Sequence, residues 1–151
     1  RGRYAIPGVD FDAALLPKLF EGLSFRIGSY GDPAAIPASI WKTATRRVKN
    51  RTGYTHQWRK RIGAGLKGLC MASADSESDV SDANAKGWRT FRVRKHDAPT
   101  LANESVCPAS KEGGQRVQCD TCGLCQGATI AARNIVIADH GLMDARRRAV
   151  T

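Results

Sequence analysis

Hydrophobic and polar positions along this chain fall into a repeating pattern: a short apolar or β-rich run, a polar turn, then a stretch with helical spacing. Residues 25–29 (FRIGS) predict a first strand, closed by Tyr30-Gly31-Asp32-Pro33. Residues 37–49 predict a helix, with Pro37 suited to its first turn and Ile40, Trp41, Ala44 and Val48 along one face. Residues 53–58 (GYTHQW) are rich in β-forming types and predict a second strand. Residues 60–68 predict a short helix that Gly63, Gly65 and Gly68 weaken. Residues 69–74 (LCMASA) predict a third strand, followed by a helix to Lys86 with Ser76 or Ser78 as N-cap and Gly87 as its stop. Residues 88–94, 105–108 and 134–138 (NIVIA) complete the set of strands, the last closed by Asp139-His140-Gly141. Strands alternating with helices imply parallel strands and helical crossovers. The expected fold is therefore α/β, a parallel β/α partial barrel or open sheet with a cysteine-rich loop before its last strand.

Length and composition fit that picture. The 151 residues, 42% of them apolar, suffice for a single domain with its own core. No apolar run approaches the ~20 residues needed to span a bilayer, and the opening RGRYAIPGVDFDAALL lacks the pattern of a signal peptide. The first residue is Arg, which suggests a fragment lacking an N-terminal segment.

Charge adds a candidate partner. The net charge is +10, with basic blocks at 46–51, 59–61, 89–95 and 146–148 and an acidic stretch at 75–82. Such asymmetry draws polyanions. A nucleic-acid reading would place Arg46, Arg47, Lys49, Arg51, Arg59, Lys60 and Arg61 against phosphates. The plain alternative is a solvated basic surface.

The cysteines carry the sharpest chemistry. Cys107, Cys119, Cys122 and Cys125 lie in VCPAS and CDTCGLC, a soft four-sulfur set that selects zinc or iron–sulfur clusters over hard cations. Cys119 and Cys122 followed by Gly123 resemble half of a zinc ribbon. Three cysteines at two-residue intervals with a remote Cys-Pro match four-iron–four-sulfur ligation of the ferredoxin style more closely, although here the Cys-Pro pair precedes the triplet. His140 is an alternative fourth ligand for zinc. Cys70, within an apolar run, reads as core. Clustered cysteines in odd number argue against a disulfide framework and for a reducing, cytoplasmic setting.

In parallel α/β folds, ligands bind beyond the carboxyl ends of the strands. Asp32, His56, Ser73, Asp75 and Arg92 fall near such ends and are the candidates to line a pocket. Each has a structural alternative: Asp32 in a turn, His56 in the core, Asp75 as a helix cap, and Arg92 with Arg94 on the outer face of a half-buried strand. No nucleophilic triad, phosphate-cradling glycine loop or dinucleotide fingerprint is present.

The ordered series RIGSYGDPAAIP, TGYTHQW, LCMASADS, GWRTFRV, then VCPAS, CDTCGLC and IVIADHG, over about residues 25–141, resembles a group of phage and prophage proteins that look like divergent radical-SAM-type half barrels. The resemblance implies a bacterial host cell as the setting. It also implies an upstream cysteine-rich segment for the SAM-binding cluster, so the fragment alone should not cleave SAM. The usual C-x3-C-x2-C signature is missing from this chain. The four late cysteines would then form an auxiliary or structural metal site. The other expectations are a zinc-stabilised nucleic-acid-binding module and a structural phage component without chemistry.

Overall fold

The computed structural model describes residues 12–139. Six strands form one sheet: β1 (Ser24–Ile27), β2 (Asn50–Thr55), β3 (Met71–Ala74), β4 (Thr90–Arg94), β5 (Glu104–Val106) and β6 (Asn134–Ala138). Their order is β1-β2-β3-β4-β6-β5, and every pairing is parallel. The fold is α/β, with an open parallel sheet whose edges are β1 and β5. Four α-helical segments accompany it: α1 (Leu16–Leu19), α2 (Ala38–Ala44), α3 (Glu77–Ala85) and α4 (Cys119–Cys122).

From β1 to β4 each strand is laid beside its predecessor in one direction. Crossovers of one hand then fall on a single face of the sheet. The core agrees with this. Ile27, Cys70 and Ala72 pack with Ala34, Trp58, Leu66, Ala83 and Trp88, which come from the connections. The indole of Trp58 donates to Ser73 O at 2.9 Å, and that of Trp41 to Pro33 O at 2.9 Å, so the buried Trp58 and the half-buried Trp41 each have the N–H satisfied. Among the described residues, the opposite face carries the single helical turn α4 instead of a helix layer. There a second cluster joins Met71 and Ile135 to Cys125, with Tyr54, Phe91, Cys107 and Leu124 against it.

The element boundaries differ from the sequence expectation for identifiable reasons. The first strand stops at Ile27 because Gly28 takes φ 74°. The second starts three residues earlier than expected and ends at Thr55, because the Asp32 carboxylate accepts both the Thr55 hydroxyl and the His56 amide at 2.8 Å and turns the chain. Gln57–Arg59 is consequently a 3-10 turn. The helix expected over 37–49 ends at Ala44, where the Thr45 hydroxyl bonds back to Trp41 O at 2.8 Å. Arg61–Leu66 is 3-10 instead of α: a Cβ on Gly63 would lie 2.2 Å from Gln57 O, so the chain passes too close there for any side chain.

Two arginines on β4 are structural. Arg92 is buried and forms a two-pronged pair with Glu104, Nε to Oε1 at 2.7 Å and NH2 to Oε2 at 2.6 Å, and also donates to Pro99 O. Arg94 is buried against Glu112, whose other oxygen accepts the Ala138 amide. These pairs tie the β4–β5 and β5–β6 connections to the centre of the sheet.

Helix α3 starts with a capping box: Ser76 accepts from the Asp79 amide, and the Asp79 carboxylate accepts from the Asp75 and Ser76 amides. Arg59 closes on the same carboxylate. The Asp79 carboxyl is held below its ordinary range, chiefly by the Arg59 hydrogen bond. A carboxyl depressed on folding contributes stability that is present above its unfolded value near ~4 and is lost as pH falls through the folded value. Asp79→Asn should therefore lower Tm at pH 7 by about 2–4 °C, corresponding to a cap of about 1 kcal/mol. In thermal unfolding across pH, the gap to the wild type should close towards pH 2–3. A gap unchanged on acidification would show that the charge contributes nothing.

Candidate functional site

Cys107 directly follows β5, and its amide continues the ladder by donating to Val136 O at 2.9 Å. The Ser110 hydroxyl and amide fold back onto Cys107 O at 2.7 and 3.0 Å. Gly113 closes this turn: a Cβ there would lie 2.1 Å from Cys107 O, so only glycine fits. Cys119 and Cys122 bracket the single helical turn α4, which Gly123 ends at φ 68°. Cys125 is buried in the second cluster.

The loop is anchored to the sheet from below. Asn50 donates to both Cys119 O and Asp120 O at 3.2 Å, and the Ser24 hydroxyl donates to Asp120 O at 2.7 Å. Arg89, immediately before β4, donates to the carbonyls of Leu124, Gly127, Ala132 and Arg133. A single guanidinium thus gathers the backbone on both sides of residues 128–131.

All four cysteines line one narrow cavity, of about 20 Å³, together with Thr52, Tyr54 and Ile135. All are free thiols. Burial pushes Cys125 up to about 11, with the Tyr54 hydroxyl pulling the other way and Cys107, Cys122 and Cys119 adding to the rise. Cys119 is raised by burial and by its neighbours Cys107 and Cys122, against the influence of Arg26. The donor set suits a thiophilic metal. Among the described residues, however, no three histidine, cysteine or carboxylate side chains meet at distances that would hold an ion. The thiols share a cavity but are not arranged as a ligand shell.

Next to this cavity, along the same face of the sheet, a cleft of about 550 Å³ opens at the carboxyl ends of the strands. It shares Tyr54, Cys107 and Cys119 with the thiol cavity. Its floor is Tyr54 and Phe91, with ring centroids 4.5 Å apart and planes tilted by 51°. Arg26 lies at one end with its guanidinium 5.7 Å from the Tyr54 ring. His56 and Asp75 lie at the other, Nε2 to Oδ2 3.8 Å, both largely exposed.

Of the five pocket candidates, His56, Ser73 and Asp75 line this cleft. Asp32 and Arg92 do not. Asp32 spends its carboxylate on Ala34, Thr55 and His56, holding the end of β2 so that His56 emerges at the rim. Arg92 faces the helix side, because strand alternation sends Phe91 and Val93 to the cleft and Arg92 away from it, onto Glu104. The residues missed from sequence are Arg26 and Phe91, whereas Tyr54 belongs to the polar residues that the sequence places at a strand end. Alternation within FRI and TFRV was the available signal for Arg26 and Phe91. His140, the alternative zinc ligand, and the basic block at 146–148 lie outside the described residues.

The basic candidates do not form one face. Arg46, Arg47 and Lys49 precede β2 and Arg59, Lys60 and Arg61 follow it, so the groups sit at opposite ends of a strand about 16 Å long. Arg47 pairs with Glu21, Arg51 donates to Gly68 O and Thr129, and Arg59 pairs with Asp79 and Asp82 while stacking on Trp58. Arg46, Lys49, Lys60 and Arg61 are exposed. No helix among the described residues is long and apolar enough to cross a membrane. No family model matches the chain, and neither a curated protein nor a solved structure matches it.

Proposed function

We infer that the chain is a ligand-binding part of a radical-SAM-like iron–sulfur protein of phage origin, in which Cys107, Cys119, Cys122 and Cys125 hold an auxiliary or structural four-iron–four-sulfur cluster. One observation carries this reading: the four cysteines line a single cavity that shares its wall with a cleft at the carboxyl ends of parallel strands. A cluster held there would supply an electron-transfer or ligand-anchoring group at the edge of the cleft. The chain's own residues position it. Asn50 and Ser24 fix the Cys119 turn, Arg89 fixes the segment after Cys125, and the sheet ladder fixes Cys107. Zinc is the alternative occupant, and with it the site becomes a structural staple.

Metal analysis and an absorption spectrum on protein purified without oxygen test this directly. Iron near four per chain, with sulfide and a broad band near ~400 nm, is the expected result. One zinc and no colour would replace the cluster with a staple and remove the radical-SAM-like reading. Protein that carries neither metal would overturn both.

A further inference from the structure

We propose that the cleft beside the cysteine cavity is a binding site for a nucleoside monophosphate, with the base on Tyr54 and Phe91 and the phosphate at Arg26. This rests on the cleft being a ligand site, as inferred above, but not on which metal the cysteines hold.

Three observations fix the ligand class. The first is the floor. Tyr54 on β2 and Phe91 on β4 reach towards each other across β3 and form a paired aromatic surface, both rings half-buried and facing the cleft. The cleft side of such a surface suits a planar ring, because every base presents a π-face that stacks on aromatic side chains. The second is the placement of charge. Arg26 is exposed at the β1 side, and its planar guanidinium matches phosphate oxygens in a two-pronged contact. The cleft's carboxylate, Asp75, follows β3, two strands across from Arg26 and by the register about six residues further along, on the order of 20 Å away in backbone position. A phosphate is therefore attracted at one end and repelled at the other, so the ligand has a fixed direction. The sugar or base edge, which carries N–H and O–H donors, faces Asp75 and His56. The third is size: about 550 Å³ lies within the ~300–1,000 Å³ usual for small-molecule sites and leaves room for a ligand of this length.

The arrangement separates this ligand from simpler ones. Inorganic phosphate would use Arg26 alone, and a free nucleoside would use the rings and the His56–Asp75 pair alone. Neither should bind as well as a molecule carrying both parts.

Isothermal titration of the protein, as purified with its metal, against AMP, UMP, adenosine and inorganic phosphate tests this. Both nucleotides should bind at least about tenfold more tightly than adenosine or phosphate. Arg26→Gln, at an exposed position, should weaken AMP at least about tenfold and leave adenosine unchanged. Phe91→Leu should weaken AMP and adenosine together. The proposal is overturned if neither nucleotide binds at millimolar concentration, if phosphate alone binds as well as AMP, or if Arg26→Gln leaves AMP affinity unchanged. Metal content measured on the same samples keeps the two readings apart. Metal without nucleotide binding overturns only the ligand, and nucleotide binding without metal overturns only the cysteine site.

Discussion

Glu104→Ala is expected to destabilise the protein by about 3–5 kcal/mol, the cost of stranding a buried charge by removing its partner. Both side chains of the Arg92–Glu104 pair are almost completely buried, and Glu104 also accepts the Leu101 amide at 2.8 Å. Removing its carboxylate leaves the guanidinium with Pro99 O alone among the described residues and frees the turn before β5. Against a total stability of ~5–15 kcal/mol this is a large share. For a chain of this size it corresponds to a fall in Tm of roughly 6–20 °C. Glu104→Gln, which keeps the shape and one acceptor, should fall between the two. A Tm within about 1 °C of wild type for Glu104→Ala would mean that water reaches Arg92 and that the pair does not hold β5 in place.

The second large effect concerns the cysteine loop and depends on the metal inferred for it. Stripping the metal with a chelator, or replacing Cys122 by serine, should release residues 107–127 while leaving β1–β4 folded. The helix-side core contains none of the four cysteines, whereas the opposite cluster is built around Cys125 and includes Cys107 and Leu124. Lys111 and Arg116 lie within the loop, so limited trypsin digestion followed by mass spectrometry reads the change directly. Cleavage at these sites should accelerate by at least about tenfold on metal removal, as expected when a local opening becomes more frequent. Equal rates with and without metal would show that Arg89 and Asn50 hold the loop by themselves.

The strand content was legible because each strand is an apolar or β-rich run bounded by glycine, proline or a capping polar residue. NIVIA, the most continuous of them, was placed with its bounds intact as β6. The end of β2 was not legible, because it is set by Asp32, more than twenty residues upstream, acting on Thr55 and His56. The pocket was legible in part for a related reason. His56, Ser73 and Asp75 follow from the rule that ligands gather at strand ends. Which face a strand residue serves depends on partners far along the chain. In TFRVR the arginines read as the outward, solvated side, yet Arg92 and Arg94 are buried, because Glu104 and Glu112 arrive from later segments to neutralise them. The apolar residues between them, Phe91 and Val93, are the ones left facing the cleft.

The order β4-β6-β5 also dictates a sequence of events in time. The ladder pairs β5 only with β6, which follows it after the whole cysteine-bearing connection of residues 107–133. During synthesis at ~5–20 residues per second, β5 therefore waits on the order of one to five seconds before a partner exists for it. Docking β6 against β4 and capturing β5 must then happen nearly together, as one late step that closes a long loop. Such a step is slow because loop-closure entropy is lost before the pairing compensates. An ion that gathered the cysteines during that wait would shorten the loop before the last strand arrived, and so would act on the rate of folding as well as on the finished structure.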